Sequence, residues 1–168
     1  LGHIGRFTYQ KNQEFLLDLI NKLPSKYKLM MVGDGENFEN INKMIIDRNL
    51  KDRVVLTGIV NNTNEFYSSF DLFVLPSRWE GLPVVGLEAQ ANGLYSVMSN
   101  NIDKNVNIIN KVDFLNIDNI DKWVEVINFI INSKKNINRE QDTALFDING
   151  INIEIEADKL EKIYLGKE

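Results

Sequence analysis

Residues 71–93, DLFVLPSRWEGLPVVGLEAQANG, decide the fold that this chain is expected to adopt. The apolar run at residues 72–75 is short and uninterrupted, which is typical of a strand buried on both faces of a parallel sheet. Residues 83–92 are predicted to form a helix, because Pro83 suits a first helical turn and Gly93 suits a left-handed helix end. A buried parallel strand that leads directly into a helix indicates an α/β sheet covered by helices.

The loop between this strand and helix lies at the carboxyl end of the strand, where open α/β sheets bind their ligands. Glu80 lies in the loop, and Glu88 follows eight residues later inside the helix. A helix N-terminus favours an anionic ligand, whereas a carboxylate accepts hydrogen bonds from hydroxyl groups. The two carboxylates therefore suggest a ligand with both phosphates and hydroxyls, such as a nucleotide sugar. From spacing alone, the alternative is that both glutamates are solvated residues near a helix end.

The segment P-S-R-W-E-G-L-P-V-V-G-L-E-A-Q-A-N-G resembles the E-x7-E signature of family-4 retaining glycosyltransferases in its carboxylates and its flanks. In that family the motif belongs to the C-terminal of two Rossmann-like domains, which binds the nucleotide-sugar donor. The resemblance implies that Glu88 contacts the nucleotide ribose and that Glu80, as a catalytic residue, contacts the donor sugar. It also makes the residues between them candidates for donor binding, namely Gly81, Leu82 and Pro83.

A strand predicted at residues 1–7 and a helix predicted at residues 12–23 are joined by a turn that holds Gly5, Arg6 and Lys11. Gly5 lets a ligand approach the backbone, and the two cations suit a diphosphate, because arginine offers a planar fork and lysine a point charge. Solvated cations in an ordinary connection are the alternative. The segment G-R-F-T-Y-Q-K resembles the family's G-R-x-x-x-x-K segment, whose cations neutralise the leaving diphosphate. The resemblance thus assigns both cations to catalysis.

Strands and helices are predicted to alternate along the rest of the chain. Further strands are predicted at residues 28–33, 53–58, 94–98 and 112–117, and further helices up to about residue 49 and at residues 64–70, 120–132 and 153–165. Residues 134–150 are polar with little pattern. The expected fold is therefore α/β, a doubly wound, mainly parallel sheet of about six strands with helices on both faces.

Two more loops are candidates for the donor cleft. Gly33 begins the turn G-D-G-E, which lacks the full dinucleotide or P-loop pattern, so a plain turn competes with nucleotide contact. Gly58, Ile59 and Val60 follow the third strand, and the family resemblance makes their backbone a candidate contact for the base. Plain packing is the alternative for these three residues.

The loop at residues 99–106, S-N-N-I-D-K-N-V, departs from the family pattern. The resemblance implies another glutamate in this loop, and Asn105 occupies the closest position. This departure predicts either looser closure of the loop on the donor or a different substrate.

Composition excludes several classes of function. A net charge of −5 argues against a general nucleic-acid binder, which needs a basic face. The absence of cysteine excludes disulfides and thiolate metal sites. No apolar run reaches the roughly 18 residues of a membrane span, so a cytoplasmic location is expected. Peripheral contact with the inner face of the membrane stays open.

No metal site is expected from the sequence. His3 is the only histidine, it is not accompanied by a cluster of acidic residues at ligand spacing, and a structural role in the first strand is expected for it. No cofactor is expected beyond the nucleotide-diphosphate sugar, which is a donor substrate.

The expected organisation is a single donor-binding domain at residues 1–168, and the resemblance implies an N-terminal acceptor domain outside this chain. The expected function is transfer of a sugar from the nucleotide-sugar donor to a glycan or lipid-linked acceptor, in the synthesis of a bacterial surface polysaccharide. The domain alone is expected to be inactive. Two alternatives stay open, a non-catalytic module that binds a nucleotide or sugar, and a nucleotide-sugar epimerase of related architecture.

Overall fold

A computed structural model of the chain describes residues 1–133, 139, 146–147 and 150–166. Within them the strands are β1 (Gly2–Ile4), β2 (Leu29–Val32), β3 (Val54–Leu56), β4 (Phe73–Leu75), β5 (Ser96–Ser99) and β6 (Val112–Leu115). They form one sheet in the order β3-β2-β1-β4-β5-β6, with every neighbouring pair parallel. The predicted doubly wound α/β fold is confirmed. Most of the patternless stretch at residues 134–150 lies outside the described residues.

The helices follow the strands in alternation. They are α1 (Gln13–Lys22), α2 (Phe38–Asp47), α3 (Asn64–Ser69), α4 (Val84–Ala91), α5 (Ile120–Asn132) and α6 (Ile153–Tyr164). The prediction for α5 is confirmed at both ends. For α4 the prediction of residues 83–92 is one residue too long at each end. Pro83 is the N-cap, with extended ψ of 113°, and Asn92 is the C-cap. Gly93 ends this helix with a φ of 72°, as predicted.

The side chains of β4 alternate between two hydrophobic clusters, one on each face of the sheet. Val74 packs in the cluster that contains the buried faces of α1, α2 and α5. Phe73 and Leu75 pack in the cluster that contains Tyr67 of α3 and Leu87 of α4. Helices therefore cover both faces, which is why the central strands are apolar on both sides.

The first strand is shorter than predicted. Its pairing with β2 ends at Ile4, opposite Val32. Gly5 then donates to the Val32 carbonyl at 3.0 Å, and Phe7 donates to the Asp34 carbonyl at 2.9 Å. The chain after Ile4 is thus held by a turn against the next loop and not by strand pairing.

The order of the strands reverses between β1 and β4, since the chain builds outward from β1 in one direction and from β4 in the other. The loops after these two strands, residues 5–12 and 76–83, therefore flank a crevice at the carboxyl edge of the sheet, the switch-point crevice. Open α/β sheets bind ligands in this position.

The last helix, α6, has an apolar side that the described residues leave uncovered. Ile163 is 65% exposed and Tyr164 is 82% exposed. None of the described helices has the length and apolar character needed to cross a membrane.

His3 is buried in the centre of the sheet, in keeping with the structural role predicted for it. Its Nδ1 lies 3.0 Å from the Val74 carbonyl oxygen, and its Nε2 lies 3.3 Å from Nε2 of Gln13. Donation from Nδ1–H to Val74 and acceptance at Nε2 satisfy the neutral ring. Burial lowers the pKa of His3 to about 4, against an opposing contribution from the Val74 bond.

This burial predicts a loss of stability in mild acid. Because the native pKa of His3 is about 4 and the ordinary value is 6.5, the unfolded chain binds a proton in this interval that the native state does not. The free energy of unfolding should therefore fall as the pH is lowered from 6.5 towards 4, with a slope of at most about 1.4 kcal/mol per pH unit from this group. Urea unfolding at a series of pH values measures the slope.

The control is His3→Asn, which does not titrate and keeps an N–H donor near the Val74 carbonyl. Its stability should depend less on pH between 5 and 6.5 than that of the wild type. An unchanged slope would assign the whole dependence to other groups and contradict the account of His3.

Candidate functional site

The two loops that flank the switch-point crevice are tied to each other by hydrogen bonds. Arg78 N–H donates to the Gln10 carbonyl at 2.8 Å, and the Gln10 side chain donates to the Trp79 carbonyl at 2.9 Å. Asn12 donates to the Pro76 carbonyl at 3.2 Å. The residues between these anchors are thereby held in a fixed relation to one another.

Lys11 and Glu80 meet between these anchors. Lys11 Nζ lies 2.5 Å from Glu80 Oε1, and the Ser77 hydroxyl donates to the same oxygen at 2.8 Å. The two charged side chains are only 16% and 10% exposed. Both donors use Oε1, so among the described residues none donates to Oε2 of Glu80, and that oxygen can accept a hydrogen bond from a ligand hydroxyl.

Gly5 and Arg6 lie on the same loop as Lys11, as predicted. A Cβ at Gly5 would lie 3.4 Å from Lys11 Cε, so Gly5 is directly adjacent to the lysine side chain. Arg6 is exposed, with its Nε 3.6 Å from Glu36 Oε2. The two cations therefore share the carboxyl edge of the sheet, but they are paired with different carboxylates.

The predicted residues before α4 line the other side of the crevice. Gly81 and Leu82 are exposed, and a Cβ at Gly81 would meet no atom within 4 Å. The Pro83 carbonyl accepts from Gly86 N–H at 2.9 Å, which starts the helix. The N–H groups that precede Gly86 in this first turn have no carbonyl one turn earlier in the helix to bond and favour an anion, so α4 presents a suitable surface for a phosphate.

Glu88 lies on the side of α4 that faces α3, where its Oε2 accepts the Tyr67 hydroxyl at 2.8 Å. The Tyr67 side chain is fully buried, and burial together with the Glu88 carboxylate raises the pKa of Tyr67. Neither Glu88 nor Glu80 is therefore a freely solvated residue. The contacts predicted for the two glutamates with ribose and sugar stay predictions.

The loops after β2 and β3 are packed together beside the crevice. Gly33 has a φ of 128°, and a Cβ there would lie 2.2 Å from the Gly5 carbonyl oxygen, so glycine is required at this position by packing. Its N–H donates to the Gly58 carbonyl at 3.0 Å. Ile59 is 79% exposed. Packing thus accounts for Gly33, and contact of Gly58 and Ile59 with a base stays a prediction.

The loop at residues 99–106 borders the crevice through Asn101. The Asn101 side chain donates to the Arg78 carbonyl at 3.0 Å, and Glu80 N–H donates to the Asn101 carbonyl at 3.4 Å. Asn105, at the position where the resemblance implies a glutamate, is exposed, and its N–H donates to Asp103 at 2.9 Å.

Three residues of this region were not singled out from the sequence. Ser77 was visible within the motif but had no assigned partner. Tyr67 lies beside Phe66 in the helix predicted at residues 64–70, and this apolar pattern accounts for its ring and not for its hydroxyl. Gln13, fully buried, donates to the Arg6 carbonyl at 3.0 Å beneath the β1 loop, and no sequence signal distinguishes it from a surface glutamine.

Two further structural observations bear on ligands. In the part of the chain that the structure describes, no three His, Cys, Asp or Glu side chains are grouped to hold a metal ion. A cavity of about 240 Å³ lies at the opposite, amino-terminal edge of the sheet and is lined by Leu1, Lys26, Tyr27, Lys28, Asp71 and Ile131. We place the candidate site at the switch-point crevice, because the paired charges and the helix N-terminus are there.

Comparison with known sequences gives long matches. The sequence profile described as glycosyl transferases group 1 matches residues 1–144. The UDP-Gal:alpha-D-GlcNAc-diphosphoundecaprenol alpha-1,3-galactosyltransferase of Escherichia coli is 30% identical over 170 residues, which cover 96% of this chain and 44% of the relative. The capsular polysaccharide biosynthesis glycosyltransferase CapH of Staphylococcus aureus is 32% identical over 177 residues, which cover 98% and 47%. The chain thus spans about half the length of these curated relatives.

Solved structures share the fold. HepE of Anabaena, in complex with UDP and glucose, superposes with a TM-score of 0.79 at 18% identity, over 97% of this chain and 47% of that one. The C-terminal domain of the glycosyl transferase group 1 family protein LpcC of Francisella tularensis superposes with a TM-score of 0.70 at 16% identity, over 88% and 84%. These two similarities show that the chain has the same fold as the matched parts of both proteins.

The burial of the Lys11–Glu80 pair predicts a large cost for breaking it on one side. Lys11→Met should lower the free energy of unfolding by about 3 kcal/mol, because it leaves the nearly buried Glu80 carboxylate without a neighbouring cation. Urea unfolding measures the loss.

The matched control is Lys22→Met. Lys22 pairs with Asp121 at 2.6 Å, but the two side chains are 48% and 79% exposed. Its removal should therefore cost less than about 1 kcal/mol. Equal losses in the two variants would show that burial does not set the strength of the Lys11–Glu80 pair.

Proposed function

This chain belongs to the glycosyl transferases group 1 family, and from that premise we propose that it is the donor-binding domain of a retaining glycosyltransferase. The C-terminal domain of LpcC, most of which this chain covers, supports the assignment to a C-terminal half. An N-terminal acceptor-binding domain would supply the facing wall of the crevice. Family membership favours the transferase over the epimerase.

The observation that carries this proposal is the Lys11–Glu80 pair at the switch-point crevice. Lysine has three N–H donors, and the bond to Glu80 uses one of them. The others can donate to a phosphate without breaking the pair. One buried pair can thus present a cation to the diphosphate and, through Glu80 Oε2, an acceptor to a hydroxyl of the donor sugar.

The proposed catalysis is stabilisation of the leaving group. As the glycosidic bond breaks, negative charge grows on the diphosphate. Lys11, Arg6 and the N-terminus of α4 are positioned to offset that charge, and such prearranged groups are most effective where water is excluded. Gly81, where a Cβ would meet no atom within 4 Å, leaves room for the phosphates to approach the backbone.

The donor is proposed to be a uridine diphosphate sugar that binds without a metal ion or other cofactor. HepE, which shares the fold, has structures with UDP and with UDP-glucose, and the relative from Escherichia coli is named for UDP-Gal. Glu88 would accept from the ribose, and Gly58 and Ile59 would border the base.

The acceptor is proposed to be a glycan or a lipid-linked sugar of a bacterial surface polysaccharide. The relatives are named for capsular polysaccharide and amylovoran biosynthesis, and the relative from Escherichia coli for a diphosphoundecaprenol-linked sugar. A lipid-linked acceptor would bring the enzyme to the inner, cytoplasmic face of the membrane.

Binding measurements with UDP and uridine test the phosphate assignment. Arg6→Ala and Lys11→Ala should each weaken UDP binding by about tenfold or more and leave uridine binding nearly unchanged, because both cations are assigned to the phosphates. Isothermal titration calorimetry, with and without EDTA, gives the dissociation constants.

Arg48→Ala is the control for loss of a positive charge, since Arg48 pairs with Asp18 between α1 and α2. It should leave the affinity for UDP unchanged. Equal losses for UDP and uridine in the Arg6 and Lys11 variants would show that neither cation contacts the phosphates. Loss of binding in EDTA would contradict the metal-free mechanism.

A transfer assay separates the enzyme from the binding module. With radiolabelled UDP-sugar, this chain alone should bind donor but transfer no sugar, because one wall of the crevice neither holds an acceptor nor excludes water. The same chain joined to an acceptor domain of its family should transfer. Failure of the joined protein to transfer, with donor binding intact, would favour the module.

A further inference from the structure

We propose that Tyr67 is a positioning residue that directs the Glu88 carboxylate towards the donor ribose, and that it thereby sets the preference of the site for ribose over a sugar without hydroxyls. The proposal rests on the assignment of Glu88 to the ribose in the proposed function. Tyr67 is a residue of α3 whose side chain is fully buried against α4, and we therefore assign it no contact with the ligand.

The ring of Tyr67 is held by the core beneath α3 and α4. Its centroid lies 6.1 Å from that of Phe70 at an interplanar angle of 80°, and 5.9 Å from that of Phe73 at 55°. Edge-to-face and tilted contacts of this kind fix the orientation of a buried ring. A tyrosine has only two side-chain torsions, so a fixed ring also fixes the position of its hydroxyl oxygen.

The hydroxyl has two acceptors within reach and one proton. Its oxygen lies 2.8 Å from Glu88 Oε2 and 3.1 Å from the Val85 carbonyl oxygen. The shorter contact and the negative charge favour donation to Glu88. Burial and the carboxylate raise the pKa of Tyr67, so the hydroxyl keeps its proton and stays a donor throughout the physiological pH range.

Donation to one oxygen leaves the other for the ligand. Among the described residues none donates to Oε1 of Glu88, so that oxygen is available to a ribose hydroxyl. A glutamate side chain has three torsions and loses freedom when it is fixed by a ligand. Because Tyr67 already restricts those torsions, less freedom is lost when ribose binds, which strengthens the bond to the hydroxyls.

The experiment measures the affinities for UDP and for 2′,3′-dideoxyuridine diphosphate, which lacks both ribose hydroxyls. The ratio of the two dissociation constants is the ribose preference. Tyr67→Phe removes only the hydroxyl and keeps the ring that the core packs against, and circular dichroism and thermal melting confirm its fold. We expect the ribose preference to fall by up to about tenfold in this variant, because the freed Glu88 side chain must then be immobilised by the ligand.

Two further variants make the result specific. Glu88→Ala should abolish the ribose preference. Tyr95→Phe is the matched control, because the Tyr95 hydroxyl also donates to a carboxylate, that of Asp113 at 3.1 Å. Tyr95 directly precedes β5, so it lies at the amino-terminal ends of the strands, away from the crevice. It should leave the ribose preference unchanged.

The outcomes separate this proposal from the function on which it rests. If Glu88→Ala abolishes the preference and Tyr67→Phe retains it, Tyr67 is not a positioning residue and the proposed function stands. If Tyr67→Phe weakens the affinities for UDP and for the dideoxy analogue equally, Tyr67 has only a structural role. If Glu88→Ala retains the preference, the ribose assignment is wrong and the role of Tyr67 is wrong with it.

Discussion

The Lys11–Glu80 ion pair joins the two loops that leave the sheet where its strand order reverses. Its partners are 69 residues apart in the chain, and the pair is nearly buried at 2.5 Å. The Ser77 hydroxyl donates a further hydrogen bond to Glu80, which helps to offset the free-energy cost of removing the two charges from water. Together with the hydrogen bonds of Gln10 and Asn12 to the facing loop, this contact holds the β1 loop against the loop that leads into α4, and the rest of the candidate site depends on that arrangement.

Both carboxylates of the site follow one physical pattern. Each has an oxygen held by the protein, Glu80 by Lys11 and Ser77 and Glu88 by Tyr67, and a second oxygen to which no described residue donates. Such carboxylates are already oriented when a polyhydroxylated ligand arrives. This prearrangement of acceptors suits the hydroxyl groups of the proposed donor. Its diphosphate is assigned to the local cations Lys11 and Arg6, which do not require a basic chain and are compatible with a net charge of −5.

The alternation of apolar strands and amphipathic helices predicted the α/β fold. Both ends of α5 were predicted correctly, because the apolar spacing that defines this helix lies within its own sequence. Strand ends were less accurate. β1 stops at Ile4, where its pairing with Val32 of β2 stops, and that limit depends on a partner strand that the local sequence does not reveal. The motif indicated both glutamates. Their protein partners were not predictable, because Tyr67 lies 21 residues from Glu88 and its role depends on how α3 packs against α4.

A structure of this chain with UDP tests the central claim, that the switch-point crevice is the donor site, most directly. We expect the diphosphate to lie between Lys11 and the N-terminus of α4, and the ribose to lie within hydrogen-bond distance of Glu88 Oε1. UDP bound in the cavity at the amino-terminal edge of the sheet, beside Leu1 and Asp71, or bound in the crevice with its ribose turned away from Glu88, would contradict it.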